Sequence, residues 1–158
     1  MTGPARPPLP ARYLPLMRLA FALALFAFPA AAWEFSPTPV CTLTETTGDA
    51  EVTVTYDPSL PEYAITVTLT EGTWDAGPVF AIVFDGPRGL TISTDRHVLS
   101  DDGASLTVRD RGFGNVLNGL EYNITATALS GDRAVTVPLT DAAPAVQAFR
   151  DCPATVTS

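Results

Sequence analysis

The sequence predicts an all-β domain: an antiparallel sandwich or barrel of about seven to nine strands with one short C-terminal helix. Three observations carry this. Apolar residues alternate with threonines and other polar residues over several short runs, the period-two mark of half-buried strands. Gly, Pro, Asp and Asn separate the runs at short spacing, as in sandwiches and barrels. No long helical stretch lies between them, which argues against a parallel α/β sheet.

The elements follow in order. "AEVTVTY" sets Val52, Val54 and Tyr56 on one face and threonines on the other. "YAITVTLT" does the same with Tyr63, Ile65, Val67 and Leu69, and the intervening "DPSLPE" is turn chemistry. "VFAIVF" is apolar throughout and reads as a central strand. "GLTIS" offers Leu90 and Ile92. "EYNITATALS" offers Tyr122, Ile124, Ala126 and Ala128, and "AVTVPL" offers Val135, Val137 and Leu139. In "DAAPAVQAFRDC" the period changes. Ala142, Ala145, Val146, Phe149 and Cys152 share one helical face, Asp141 can cap the start, and Pro144 is tolerated in the first turn. Residues 153–158 read as a loose tail.

A chain of 158 residues accommodates one domain, and residues 1–32 read as lying outside it. Arg6, Arg12 and Arg18 precede an apolar run, "LAFALALFAFPAAAW", that ends in Ala30-Ala31-Ala32. A basic start, a short apolar stretch and small residues at the cleavage site are the marks of a secretory signal peptide. The rival reading is a membrane anchor, for which residues 19–33 are short: a span needs about 20 apolar residues. Met17-Arg18 could open a compact signal of its own, so the start at Met1 or Met17 stays open. The domain is then residues 33–152, exported to the periplasm or secreted, with no stable membrane insertion after cleavage.

Six of the nine arginines and all 17 acids lie beyond residue 32, a balance of −11 that repels nucleic acid and anionic lipid. The chain has no lysine. That excludes Schiff-base and pyridoxal-phosphate chemistry and the phosphate-binding lysine of nucleotide loops. No cofactor is implied. In an exported chain Cys41 and Cys152 read as a disulfide. It would close a loop of about 110 residues; loops of ~100 residues gain up to about 4.7 kcal/mol by chain entropy. "PTPVC" lacks the small residues that precede a lipidated cysteine. Two cysteines and one histidine do not complete a closed four-ligand zinc site, so no metal site is read.

The only histidine, His97, lies in "DRHVLSDDGASLTVRDRGFGN". A hairpin turning at Asp101-Asp102-Gly103 would pair Ser100 with Ala104. Val98 then faces Leu106 on the core side, and Arg96, facing Val108, falls near the rim. Asp95, His97, Thr107 and Arg109 would share the outer face, with Asp95 and Arg109 as a cross-strand ion pair. A Ser93–His97–Asp101 or Asp102 triad is disfavoured: at ~3.3 Å per residue the serine and histidine stand about 13 Å apart along a strand, and a nucleophile needs its base within hydrogen-bond reach. "RDRGFGNVLNG" fails the dinucleotide pattern, because Leu117 stands where the third glycine belongs. Phe113, flanked by Arg109, Arg111, Asn115 and Asn118, reads as a binding loop. Trp74 in "EGTWDAGP" offers a second aromatic contact for a sugar or protein. The favoured reading of both aromatics is that they plug the ends of the core. Asn123-Ile124-Thr125 is a glycosylation sequon inside a predicted strand. Seventeen acids make some close carboxylate pair inevitable, so such a pair carries no weight.

Three stretches carry a resemblance: "SPTPVCTLTETTGDAEVTVTYDPSLPEYAITVTL", "FDGPRGLTISTDRHVLSDDG" and "DRGFGNVLNGLEYNITATALSGDRAVTVPL". Together they resemble a family of small exported proteins of unknown function from Gram-negative bacteria. The resemblance spans nearly all of residues 33–152, implies a periplasmic setting and carries over no catalytic residue. Some such sequences bear the label of an ABC excinuclease component. The residues here contradict it: there is no phosphate-binding loop, no helicase motif and no lysine. "VTVPLTDAAPAVQAFRDC" is also similar to the end of the invasion-associated locus B type of secreted proteins.

The function expected from these readings is a non-enzymatic binding or envelope-associated module. Its partner is a protein or envelope component, contacted through Asp95, His97, Arg109, Arg111, Phe113, Asn115 and Trp74. The alternative is a small hydrolase using carboxylates or His97. Sequencing the N-terminus of exported protein should read Trp33 first; a retained 19–33 segment would refute the signal reading.

Overall fold

The computed structural model describes residues 1–8 and 32–155, with side chains as far as Cys152. Most of the expected signal segment, and residues 156–158 of the expected tail, lie outside the described residues. Ten strands and two helices follow in order: β1 (Glu34–Ser36), β2 (Cys41–Thr46), β3 (Ala50–Asp57), β4 (Glu62–Leu69), β5 (Phe80–Asp85), β6 (Leu90–Thr94), β7 (Val98–Leu99), β8 (Ser105–Asp110), α1 (Gly114–Tyr122), β9 (Thr125–Ser130), β10 (Arg133–Pro138) and α2 (Ala142–Thr155). They form an all-β sandwich of two antiparallel sheets. One has six strands in the order β1-β2-β3-β4-β8-β7, the other four in the order β10-β9-β5-β6. The count exceeds the expected seven to nine through two very short edge strands, β1 and β7.

The register explains the core. In β3 and β4, Ala50 opposes Leu69, Val52 opposes Val67, Val54 opposes Ile65 and Tyr56 opposes Tyr63. Opposed residues share a face, so these pairs turn inward together, with Val54 wholly buried. The other face carries threonines that bond across strands: Thr66 to Thr107 at 2.9 Å and Thr68 to Ser105 at 2.8 Å. In the smaller sheet β5 is interior, as its apolar run implies. Its inward Ile82 and Phe84 oppose the small Ala128 and Ala126 of β9. Large residues set against small ones let the layer fill without clash. Val135, Val137 and Leu139 are buried as expected.

The C-terminal helix, α2, presents its expected face: Ala142, Ala145, Val146, Phe149 and Cys152 are all buried. It lies over β1 and β2, and Cys41 and Cys152 form the disulfide, with Cα atoms 6.2 Å apart and a separation of 111 positions in sequence. Asp141 starts the helix differently from expectation. It sits at φ 58°, outside the β-region conformation of a usual cap, and the Ala142 N–H donates to Leu139 O at 3.2 Å. The helix runs to Thr155, into the stretch expected to be a tail.

Two expectations are corrected. "GNVLNGLEY" is a helix, α1, where a binding loop is expected, so Tyr122 closes a helix and Ile124 is exposed rather than inward on a strand. Val116, Leu117 and Leu120 on one side of α1 are buried; burial of that face outweighs the poor helix propensity of its two glycines and two asparagines. Gly119 is required by packing, since a Cβ there would stand 2.4 Å from the Phe84 ring. Asn123 ends α1 with its amide fully used: Oδ1 accepts from Arg88 N, and Nδ2 donates to Arg88 O and Gly119 O. The sequon asparagine is therefore a buried clamp rather than a free acceptor for a glycan.

The second correction is the hairpin. The loop has four residues, Asp101 to Ala104. Ser100 N–H donates to Ser105 O and Gly103 N–H to Ser100 O, both at 2.9 Å, while the Asp102 carboxylate accepts from Ser100 Oγ and Ala104 N. Val98 consequently opposes Thr107, and Leu99 opposes Leu106. A one-residue slip exchanges the faces: Val98 is exposed and Leu99 packs on the core.

Replacing Cys152 with Ser should lower the melting temperature in oxidising buffer by several degrees. Against wild type in reductant the difference should vanish, because neither protein then carries the crosslink.

Candidate functional site: a cleft at the open edge of the sandwich

At the edge where β6 and β8 diverge, the sheets leave a cleft of about 230 Å³. Its floor is apolar: Ile65 and Val108 from the larger sheet, Phe80, Ile82 and Ile92 from the smaller, and Phe113 and Val116 from the start of α1. Its rim is polar: Ser93, Thr94, Arg96, Asp110 and Asn115. Each comes from a defined element. Ser93 and Thr94 end β6, Asp110 ends β8, and Asn115 stands in the first turn of α1.

The rim is held by one ion pair. Arg96 Nη2 donates to Asp110 Oδ2 at 2.7 Å, and the Arg111 N–H donates to Asp110 Oδ1 at 2.7 Å. The Arg111 backbone bond, and after it the Arg96 charge, hold the Asp110 carboxyl below the ordinary carboxylate range. Both partners are substantially exposed, so the pair orders the rim more than it stabilises the fold. Below the floor, Phe113 stacks on Tyr63 with centroids 5.4 Å apart, and Tyr63 touches Tyr56 and Phe149. The end of α2 and the floor of the cleft thus share one aromatic cluster.

The structure brings Phe113 and Asn115 to this cleft and scatters the other expected contact residues. Trp74 is buried, with Nε1 donating to Val67 O at 3.0 Å and the ring edge-on to Phe80. Phe113 is equally buried. Arg109 points outward and approaches Glu62 at 3.6 Å, so the expected Asp95–Arg109 pair does not form; Asp95 is exposed in the link after β6. Arg111 reaches the site only through its backbone.

His97 is also corrected. Expected on the outer face, it is half-buried: Nε2–H donates to Gly77 O at 3.1 Å, the ring centroid lies 6.2 Å from that of Phe80, and Nδ1 is buried without a partner among the described residues. It ties the link before β7 to the segment before β5. Among the described residues it is not hydrogen-bonded to a serine or a carboxylate, as nucleophile activation would require. Among the described residues no three His, Cys, Asp or Glu side chains gather as a metal site would need, and no helix is long and apolar enough to cross a membrane.

The cleft and the Arg96–Asp110 pair are absent from the sequence reading. The usable signal is parity: Ile92 and Val108 are inward residues on strands that have no covering partner at that edge.

No family model, curated protein or solved structure matches the chain. The class defined by fold and site is a disulfide-closed β-sandwich with an apolar-floored, polar-rimmed cleft.

Replacing His97 with Ala should cost about 1–2 kcal/mol, from the lost hydrogen bond and ring packing. Urea unfolding measures it; an unchanged midpoint would return His97 to the surface.

Proposed function

We propose that this chain is an exported, non-enzymatic binding domain of the periplasm or the secreted fraction, belonging with the small exported proteins its sequence resembles. The observation that carries the binding reading is the cleft: an apolar floor large enough for a few side chains or a small ring, bounded by a charged pair and amide and hydroxyl groups. Ligand sites combine an apolar lining with a few polar groups that fix orientation. The fitting occupant is an apolar segment or headgroup of an envelope component or partner protein that carries its own polar end. The disulfide, the signal-like leader and the acidic balance support export. The hydrogen bond of His97 to the Gly77 carbonyl supports a positioning role for it over a catalytic one.

Val108→Arg tests the reading by placing a charge in the floor of the cleft. Residues 33–158, immobilised and exposed to periplasmic extract, should retain a ligand or protein that the variant loses while melting at a similar temperature. Equal retention by both would move the binding surface elsewhere, and turnover of any captured compound would favour the hydrolase.

A further inference from the structure

On the inward face of β2, between the apolar core and α2, stands a carboxylate with nothing to hold it. Glu45 is 1 % exposed, and neither Oε1 nor Oε2 has a hydrogen-bond partner among the described residues. Its described surroundings offer no cation. Val52 opposes it on β3, the face of α2 turned to the core is Ala142, Ala145, Val146 and Phe149, and the neighbouring charge is Glu34 on β1, of the same sign. Burial, and then Glu34, push the Glu45 carboxyl above the ordinary range. A buried charge without a partner is strongly destabilising, and such groups persist when something completes them.

The register shows what could. Strand β1 pairs with β2 as Glu34 to Thr44, Phe35 to Leu43 and Ser36 to Thr42. One further step of the same register sets Trp33 opposite Glu45, and opposed residues lie about 4.5–5.5 Å apart at Cα on the same face. Trp33 is buried and anchored, its Nε1–H donating to Pro138 O at 3.1 Å, whereas Ala32 is exposed. Trp33 is thus the buried residue that immediately follows the Ala30-Ala31-Ala32 sequence, where signal cleavage is expected.

We infer that Glu45 is the receptor for the new N-terminus: cleavage after Ala32 creates an α-ammonium on Trp33 that pairs with the Glu45 carboxylate and locks β1 to the sandwich. This rests on the export reading above. Water, delivered by a signal peptidase, adds across the Ala32–Trp33 peptide bond; the carboxylate leaves with the leader and the amine stays on Trp33, protonated at neutral pH. The unprocessed chain holds an amide nitrogen at that position, which carries no charge. Glu45 thus makes the domain sensitive to correct processing.

The test compares two purified proteins, one beginning at Trp33 and one at Ala31, which displaces the amine by roughly 7 Å, each with Glu45 and with Glu45→Gln. With Glu45 present, the Trp33 form should melt several degrees above the Ala31 form at pH 7. With Gln the two should melt together. Carbon NMR of the Glu45 carboxyl should show it titrating lower in the Trp33 form than in the Ala31 form, a readout that does not depend on the Gln variants folding. A stability difference that persists with Gln, equal stability with Glu45, or identical Glu45 titration would each overturn the inference. N-terminal sequencing of exported protein judges the export reading separately, since the engineered termini test the pairing whichever bond the cell cuts.

Discussion

A six-stranded sheet packed on a four-stranded one has more inward apolar face than its partner can cover, and the rest of this molecule answers that mismatch. At one edge of the larger sheet, β1 and β2 are covered by α2. The inward Cys41 and Leu43 of β2 are buried on the strands that α2 covers. Helix α2 is short, and helices of that length are marginal alone in water. Its stability comes from docking, and the disulfide keeps it docked. Helix α1 packs against α2 and reaches β6, and the cleft lies beside its first turn. The strap and the site thus meet through the two helices.

Much of this is legible from alternation alone. Runs such as "AEVTVTY" and "YAITVTLT" fix their own faces, because strand parity leaves two choices and only one buries valines. The helical face of α2 is legible for the same reason at a different period. The departures are local. "GNVLNGLEY" carries two glycines and two asparagines, weak helix formers, and becomes helical because Val116, Leu117 and Leu120 reach the core. Nothing within the segment announces that opportunity. The hairpin departs through one side chain: Asp102 accepts bonds from both sides of the turn and draws Ala104 into the loop.

The site is less legible than the fold because it is made of non-local neighbours. Phe113 and Asn115 stand out in the chain, yet Arg96 and Asp110, fourteen residues apart, become partners only once β7 and β8 have been laid side by side. His97 attracts attention through its rarity, and the structure gives it a hydrogen bond to Gly77 and an aromatic neighbour. Glu45 is invisible in sequence, being one acid among 17 on a strand whose other polar residues, Thr42, Thr44 and Thr46, face outward. Its abnormality lies in parity: it follows Cys41 and Leu43 on the inward face.

The long reach of the disulfide has a consequence for how the chain is made. Cys41 leaves the ribosome early, and its partner follows 111 residues later. Until then β1 and β2 have no cover for their apolar side, and the early thiol stays open to any other cysteine it encounters. Domains generally fold as units during synthesis, and exposed apolar edges make incomplete ones prone to associate. This domain is one that cannot be finished from its beginning: the helix that shuts it follows every one of its strands in the chain. Truncated or stalled chains would therefore be the sticky species, and a cell producing this protein would gain from keeping the nascent chain unfolded until its far end arrives.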